Sequence, residues 1–206
     1  MKLKSLLLAT AAGLISSVLV AQGQVPGVNS TLQSIFTLAY DNSTMMPTYS
    51  AAAGPFNMAA SATDVCLMYG VAGKTIKIRR IAVGGISGAV ISEPVSILKR
   101  STAHSGGTAT QLIPAPYDSG SPASLVLAEN FTVNITSLGT LQAEISDIFQ
   151  PFAPTTTVNS PTIYTFGQLG SPLVLRGIAQ SAVVNMNQAT FAGSLTCTFE
   201  WTEQTP

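Results

Sequence analysis

The single histidine, His104, is the residue on which a hydrolase with a serine or cysteine nucleophile would depend as its general base. It lies in Thr102–Gly107, a polar loop without a Gly-x-Ser-x-Gly nucleophile motif. The nearest approach to that motif, Gly85–Ala89, lacks the last glycine. We therefore expect no nucleophilic catalysis and interpret His104 as an exposed loop residue.

Three carboxylates, Glu129, Glu144 and Asp147, are candidates for the acid–base pair that glycoside hydrolysis requires. Their spacing along the chain does not place any two of them at the required separation, and solvated carboxylates on strand edges and loops are the simpler interpretation. One histidine and two distant cysteines do not make a zinc site. Calcium needs clustered oxygen ligands, and Asp118 stands alone in a turn. We expect no catalytic residue, no metal and no cofactor.

The densest charge cluster is basic and consists of Lys74, Lys77, Arg79 and Arg80. It would suit docking of an acidic partner or of a glycan phosphate. The alternative is a set of outward-facing strand residues that protect a sheet edge, which is the commoner role of such residues.

Aromatic residues provide two different hypotheses. Phe199 and Trp201 would form a sugar-stacking platform if they were exposed, but they share a strand face with Leu195 and Cys197, which favours the core. A secreted binding module would instead use loop aromatics, for which the candidates are Tyr117, Phe152 and Tyr164.

Two cysteines, Cys66 and Cys197, are the whole cysteine content. In an exported protein this even count permits one disulfide, which would join an early strand to the last one. Two separate buried thiols are the alternative.

The composition restricts the functions that are open to the chain. Of its 206 residues, 46% are apolar and only 9% are charged, with a formal net charge of +0. The apolar fraction of 46% suffices for a core. Because few residues are charged, solubility relies on Ser, Thr, Asn and Gln. A net charge near zero also means that copies of the chain repel one another weakly, which makes association easier. Nucleic acid is not an expected partner, because phosphate binding needs clustered Lys and Arg on one face. We expect a homo-oligomer or larger assembly.

Residues 1–23 have the layout of a secretory signal peptide. Lys2 and Lys4 precede the apolar run Leu6–Val20, and Ala21–Gly23 supplies small residues for cleavage after Ala21 or Gly23. The alternative, an uncleaved anchor, would use a run shorter than a comfortable membrane span. We expect secretion, or a place on a virion surface, and no membrane contact after cleavage.

The rest of the chain predicts a single all-β domain. Residues 24–62 form a weakly patterned N-terminal arm, in which Asp41–Ala62 is predicted as loop. Residues 63–206 carry about nine or ten short strands without a convincing helix, which is typical of a β-sandwich of the jelly-roll kind. Leu141–Phe149 fits either a strand or a short helix.

Two local patterns make sharper predictions. Ile76 and Ile78 alternate in one phase, whereas Ile81 and Val83 alternate in the other, so a β-bulge at Arg79–Arg80 would bring all four into the core. The strands Gln180–Asn187 and Ser194–Glu203 are predicted to form a hairpin across Gln188–Gly193, with Cys197 and Trp201 on the buried face.

Several segments resemble a recurrent pattern in uncharacterised proteins of tailed phages and prophages. They are ILKRSTAHSGGT at 97–108, IPAPYDS at 113–119, PLVLRG at 172–177, VVNMN at 183–187 and EWTE at 200–203. The resemblance implies a virion-surface β-sandwich protein and carries no catalytic motif. The signal peptide is an addition to that pattern and favours an exported protein with a similar module.

These observations together predict a non-enzymatic structural subunit that self-associates into an extracellular or capsid-type assembly. The alternative is a secreted module, similar to an adhesin, that binds carbohydrate or a cell-surface partner. A hydrolase built on scattered carboxylates is the third hypothesis.

Overall fold

The structure is a computed structural model that describes residues 46–154, 161–167, 172–189 and 192–205. For residues 145–150, 153–154 and 188–189 it describes the backbone only. Met46–Pro206 is one compact unit. The predicted signal peptide, residues 1–23, and the first half of the predicted arm lie outside the described residues.

Twelve strands make up the described part of the chain. In chain order they are β1 (Thr48–Asn57), β2 (Ala62–Tyr69), β3 (Thr75–Ser87), β4 (Ile91–Arg100), β5 (Thr108–Leu112), β6 (Ala115–Pro116), β7 (Ala128–Val133), β8 (Leu141–Pro154), β9 (Thr162–Thr165), β10 (Leu173–Arg176), β11 (Ser181–Ala189) and β12 (Gly193–Gln204).

The strands form two antiparallel sheets. The first sheet has the order β6-β1-β12-β3, and both β9 and β10 pair with β3. The second sheet has the order β5-β7-β2-β11-β4-β8. A short parallel pairing of Ile86 with Ala153 joins the end of β8 to the end of β3 and so links the two sheets.

The all-β prediction is confirmed. None of the described residues is in a helix, and they therefore include no helix that could span a membrane. The ambiguous segment Leu141–Phe149 belongs to β8. The twelve strands exceed the nine or ten expected, in part because β6 has only two residues.

The loop prediction for Asp41–Ala62 is wrong for Thr48–Asn57, which forms β1 and pairs with β12 along most of its length. Tyr49, Ala51 and Ala53 are buried on one face of β1. Alanine has little strand propensity, so this alternation does not stand out in the sequence. The pairing with β12 and the burial of the small residues override that weak local preference.

The hairpin predicted from Gln180–Asn187 and Ser194–Glu203 is also wrong. β11 lies between β2 and β4 in the second sheet, whereas β12 lies between β3 and β1 in the first. Period-two alternation shows that a strand has one buried face, but it does not show in which sheet that strand pairs. The chain changes sheets between these two strands.

The bulge predicted at Arg79–Arg80 is confirmed. Glu200 pairs with Arg80 and the next residue, Trp201, pairs with Ile78, so Arg79 is the extra residue on β3. Both pairs of apolar residues on β3 consequently face the core, where Ile76, Ile78, Ile81 and Val83 are each 0% exposed.

The main core lies between the two sheets. From the first sheet it receives the apolar side chains of β1, β3 and β12, including Leu195, Phe199 and Trp201. From the second sheet it receives alternate residues of β2, β4 and β11. Burial of Phe199 and Trp201 confirms that they are core residues and not a sugar-stacking platform.

Candidate functional site

The predicted disulfide joins Cys66 to Cys197. Cys66 is on β2 in the second sheet, and Cys197 is on β12 in the first, so the bond connects the two sheets through the core. Both residues are 0% exposed and 131 residues apart in the sequence. The disulfide is therefore a structural cross-link.

The four basic residues lie just before β3 and in its first half. Lys74 precedes β3 and donates to the Thr205 hydroxyl at 3.4 Å, and Lys77 pairs in register with Thr202. Arg79 is exposed at the bulge. Arg80 is neutralised by Glu200, with 2.5 Å between Nη1 and Oε1. Docking of an acidic partner on these four residues remains a prediction.

Arg80 and Glu200 belong to a row of polar side chains across the outer face of the first sheet. Ser50 of β1 is in register with Glu200 of β12, which is in register with Arg80 of β3. The Tyr117 side chain lies near Glu200 and Ser50. Burial and the Glu200 carboxylate raise the pKa of Tyr117.

The outer face of the second sheet is apolar instead. Leu67 and Tyr69 of β2, Leu98 of β4, Phe131 of β7 and Val183 of β11 form a second buried cluster there. Two loops cover the cluster, and we call residues 101–107 and 134–140 the crossing loops. The second of them, residues 134–140, supplies Ile135 and Leu138 to the cluster.

The crossing loops run side by side and are held by their backbones. The Ser105 N–H donates to the Ser137 carbonyl at 3.0 Å, and the Ser137 N–H donates to the Ser105 carbonyl at 3.0 Å. Gly106 has φ 77, and a Cβ there would lie 2.3 Å from the Thr136 hydroxyl, so only glycine fits. This is the physical role of the Gly106–Gly107 pair.

His104 is not the exposed loop residue expected. Its Nδ1 is hydrogen-bonded to the Tyr69 hydroxyl, and its ring stacks on Tyr69 at 5.6 Å between centroids. The His104 and Phe131 rings are nearly perpendicular, with 5.1 Å between their centroids. No local pattern indicates these contacts, since Tyr69, His104 and Phe131 are far apart along the chain. The histidine fixes the first crossing loop to β2.

Glu129 lies near His104 on the same face. Burial raises the pKa of Glu129, while the charge of His104 lowers it. β7 and β8 are four strand positions apart in the sheet, which is roughly 19 Å. Glu129 therefore cannot form a glycosidase pair with either Glu144 or Asp147 on β8, because such pairs need carboxyl groups about 5–9.5 Å apart.

A buried ion pair lies under the second crossing loop. Arg100 donates to both carboxylate oxygens of Asp64 at 2.7 Å, and Asn185 donates to Asp64 at 2.6 Å. Arg100 also donates to the Gly139 carbonyl at 3.4 Å. The sequence prediction did not include this network, whose members lie on three strands and a loop.

Of the three loop aromatics predicted for a binding module, only Tyr117 is exposed. Its exposed fraction is 61%, whereas Phe152 is 0% exposed and Tyr164 is half-buried. A groove of about 370 Å³ opens on the same outer face as Tyr117 and includes Gly84, Thr196 and Pro161. A cavity of about 280 Å³ opens beside Tyr69 and is lined by Val71, Leu125, Leu127 and Ile178.

Among the residues that the structure describes, β5 is the strand at one edge of the second sheet. It pairs with β7 on one side, and its residues Thr108–Gln111 are exposed. The segment from Ser105 to Tyr117 contains no charged residue, and Ile113 is 88% exposed. Natural edge strands are normally protected by charge, so this edge is open to pairing.

The described residues contain no group of three or more His, Cys, Asp or Glu side chains that could hold a metal ion. Comparison of the chain with protein-family models, with curated proteins and with solved structures finds no match.

Proposed function

We propose that this chain is a non-enzymatic structural subunit, an exported or virion-surface β-sandwich of the jelly-roll kind that self-associates into an extracellular or capsid-type assembly. The two facing sheets and the repeated change of the chain from one sheet to the other support the sandwich and the jelly-roll arrangement. The sequence of residues 1–23 supports export.

The observation that carries the proposal is the uncharged edge of β5. An edge strand offers unpaired N–H and C=O groups, and a second chain can satisfy them by adding a strand to the sheet. Thr108–Gln111 is exposed and the neighbouring Ile113 is 88% exposed, so two β5 edges can meet in antiparallel pairing around a twofold axis. The net charge of +0 does not oppose this approach.

Light scattering coupled to size-exclusion chromatography tests the proposal over a wide concentration range. We expect the wild type to form at least a dimer, and Thr110→Lys to lower the mean mass by breaking the β5 contact, because the charge would lie in the shared sheet. Ser119→Lys adds the same charge at an exposed turn and is the matched control. A compact monomer at every concentration would contradict the proposal.

Microscopy gives a second test. Negative-stain images of the protein from its native source are expected to show filaments or particles with a regular repeat. Free monomers only would favour the alternative, a secreted module that binds carbohydrate or a cell-surface partner, and exposed Tyr117 is the observation that favours that alternative.

A further inference from the structure

The two ends of β3 carry different surfaces. The strand runs for 13 residues from Thr75 to Ser87, which corresponds to a length of about 40 Å. Residues 70–74 connect it to β2, and residues 88–90 connect it to β4. We call residues 70–74 the entry turn and residues 88–93 the tip. The length of β3 therefore separates the entry turn from the tip.

An apolar cavity opens beside the entry turn. It has a volume of about 280 Å³, and its lining includes Gly70 and Val71 of the turn together with Leu125, Leu127 and Ile178. Leu125 is 67% exposed and Ile178 is 71% exposed. A concave apolar surface whose lining includes large exposed side chains is typical of a site that receives an apolar group from another molecule.

The tip presents an apolar side chain in a fixed position. Val90 is 78% exposed. The Ala89 N–H donates to the Ser87 hydroxyl at 3.2 Å, and the Gly88 N–H donates to the Ala192 carbonyl at 3.1 Å. A group that is held in place before binding loses little conformational entropy when it binds. Val90 is therefore suited to enter an apolar cavity on another molecule.

The charges beside the cavity and the tip are complementary. Lys74 is three residues after Val71 of the cavity, and Glu93 is three residues after Val90 of the tip, without another charged residue in either interval. The Lys74 N–H donates to the Val71 carbonyl at 3.2 Å, which keeps the lysine beside the cavity. A cation thus accompanies the cavity and an anion accompanies the tip at the same spacing in the sequence.

Both charges are able to bind a partner. In the described part of the chain, neither Lys74 nor Glu93 belongs to an ion pair. The Lys74 ammonium donates to the exposed Thr205 hydroxyl at 3.4 Å, which is a long hydrogen bond. An exposed pair of opposite charges contributes little affinity, but it favours one orientation of the two partners over others.

The cavity and Val90 cannot meet within one molecule, because the length of β3 lies between them. A second copy of the chain can bring them together, and the pair then still has one unused tip and one unused cavity. A contact between two different surfaces does not close around a twofold axis, so its repetition adds further copies in a row. The β5 edge pairs two copies only, so the end-to-end contact would extend the assembly.

We propose that copies of this chain join end to end, with Val90 of one copy in the cavity beside Val71 of the next copy and with Glu93 of the first against Lys74 of the second. This inference rests on the self-association proposed above and adds the surface that extends the assembly beyond a β5 pair. It uses none of the β5 residues, so either contact can fail without the other.

Analytical ultracentrifugation of the Thr110→Lys protein, in which the β5 contact is broken, isolates the end-to-end contact. We expect the mean mass to rise with concentration. Addition of Val90→Asp should weaken this association at least about tenfold, because the new charge would have to enter an apolar cavity. Ile163→Asp places the same charge at an exposed isoleucine of β9 and is the matched control, which should leave the association unchanged.

Exchange of the charges tests the orientation of the copies. In the Thr110→Lys background, Lys74→Glu and Glu93→Lys should each weaken association about threefold to tenfold at low salt, and the double variant should restore it. An equal mixture of the two single variants should also restore it, because the tip of each variant then matches the cavity of the other. Salt at about 0.5 M should reduce these differences, since it screens exposed charges.

The end-to-end contact and the β5 contact fail in different ways. If the Thr110→Lys protein is monomeric at every concentration, or if Val90→Asp leaves its association unchanged, the end-to-end contact is overturned, whereas a dimeric wild type would still support the β5 pair. If the Thr110→Lys protein associates as strongly as the wild type and Val90→Asp weakens that association, the end-to-end contact is supported and the β5 pair is contradicted.

Discussion

The outer face of the second sheet carries large apolar side chains, whereas that of the first sheet carries small residues and the polar row of Ser50, Glu200 and Arg80. Leu67, Phe131 and Val183 lie under the crossing loops, with exposures of 1%, 3% and 0%. Ala52 and Gly54 of β1, on the first sheet, are exposed. Large apolar groups gain about 1.5–3 kcal/mol each from burial, so the chain covers that face itself. A face of small polar groups gains little from a cover and is free to meet a partner.

The largest effect is expected from the disulfide, which connects the two sheets. The variant Cys66→Ala with Cys197→Ala should lose roughly 4–5 kcal/mol of unfolding free energy, because the bond closes a loop of 131 residues in the unfolded chain. Urea unfolding measures the loss, and wild type treated with reductant is the control. The rate of amide hydrogen exchange should rise to a similar extent on the outer faces of both sheets. A rise on one face only would show that the bond supports a single sheet.

The two ion pairs offer a direct comparison of the faces. Asp64→Asn should destabilise by about 3–5 kcal/mol, because it leaves the buried Arg100 without its counter-charge. Glu200→Gln breaks the more exposed pair with Arg80 and should cost at most about 1 kcal/mol. Urea midpoints of the two variants test the difference. Equal midpoints would mean that the crossing loops do not exclude water from Asp64.

Two isoleucines sharpen the comparison further. Ile135 in the second crossing loop is 6% exposed, and Ile163 on β9 of the first sheet is 48% exposed. Ile135→Ala should lower the unfolding free energy by about 2–4 kcal/mol. Ile163→Ala, the matched control, should change it by less than about 0.5 kcal/mol. A small effect at Ile135 would contradict a packed cover.

The smallest effect concerns Glu129 and depends on pH. Burial raises the pKa of Glu129, so the folded protein binds the proton of this carboxyl more tightly than the unfolded chain does. The stability of the protein therefore falls as the pH rises from the ordinary pKa of 4.5 through the raised pKa of the folded state. Glu129→Gln should therefore gain stability relative to wild type between about pH 4 and about pH 7. Urea midpoints across this range measure the gain.

The control for Glu129 is Glu93→Gln, which removes a carboxylate from β4. It should not show the same gain with rising pH. If both variants behave alike, the effect is one of net charge, and Glu129 is not buried by the crossing loops.

The sequence by itself determined the elements with strong alternation. The phase switch at Arg79–Arg80 already required a bulge, since otherwise either Ile76 and Ile78 or Ile81 and Val83 would face water. The alternation in Ser194–Glu203 likewise placed Cys197 and Trp201 in the core. Both follow from the period of two along a strand, which is a local property of the chain.

Only the tertiary structure decided which strands meet. It placed β11 and β12 in different sheets, made Thr48–Asn57 a strand, and brought Tyr69, His104 and Phe131 together from distant segments. It also brought Arg80 and Glu200, which are 120 residues apart, into an ion pair on neighbouring strands. Alternation fixes which side of a strand is buried, but pairing depends on the packing of residues that are remote in sequence, and no local pattern contains that information.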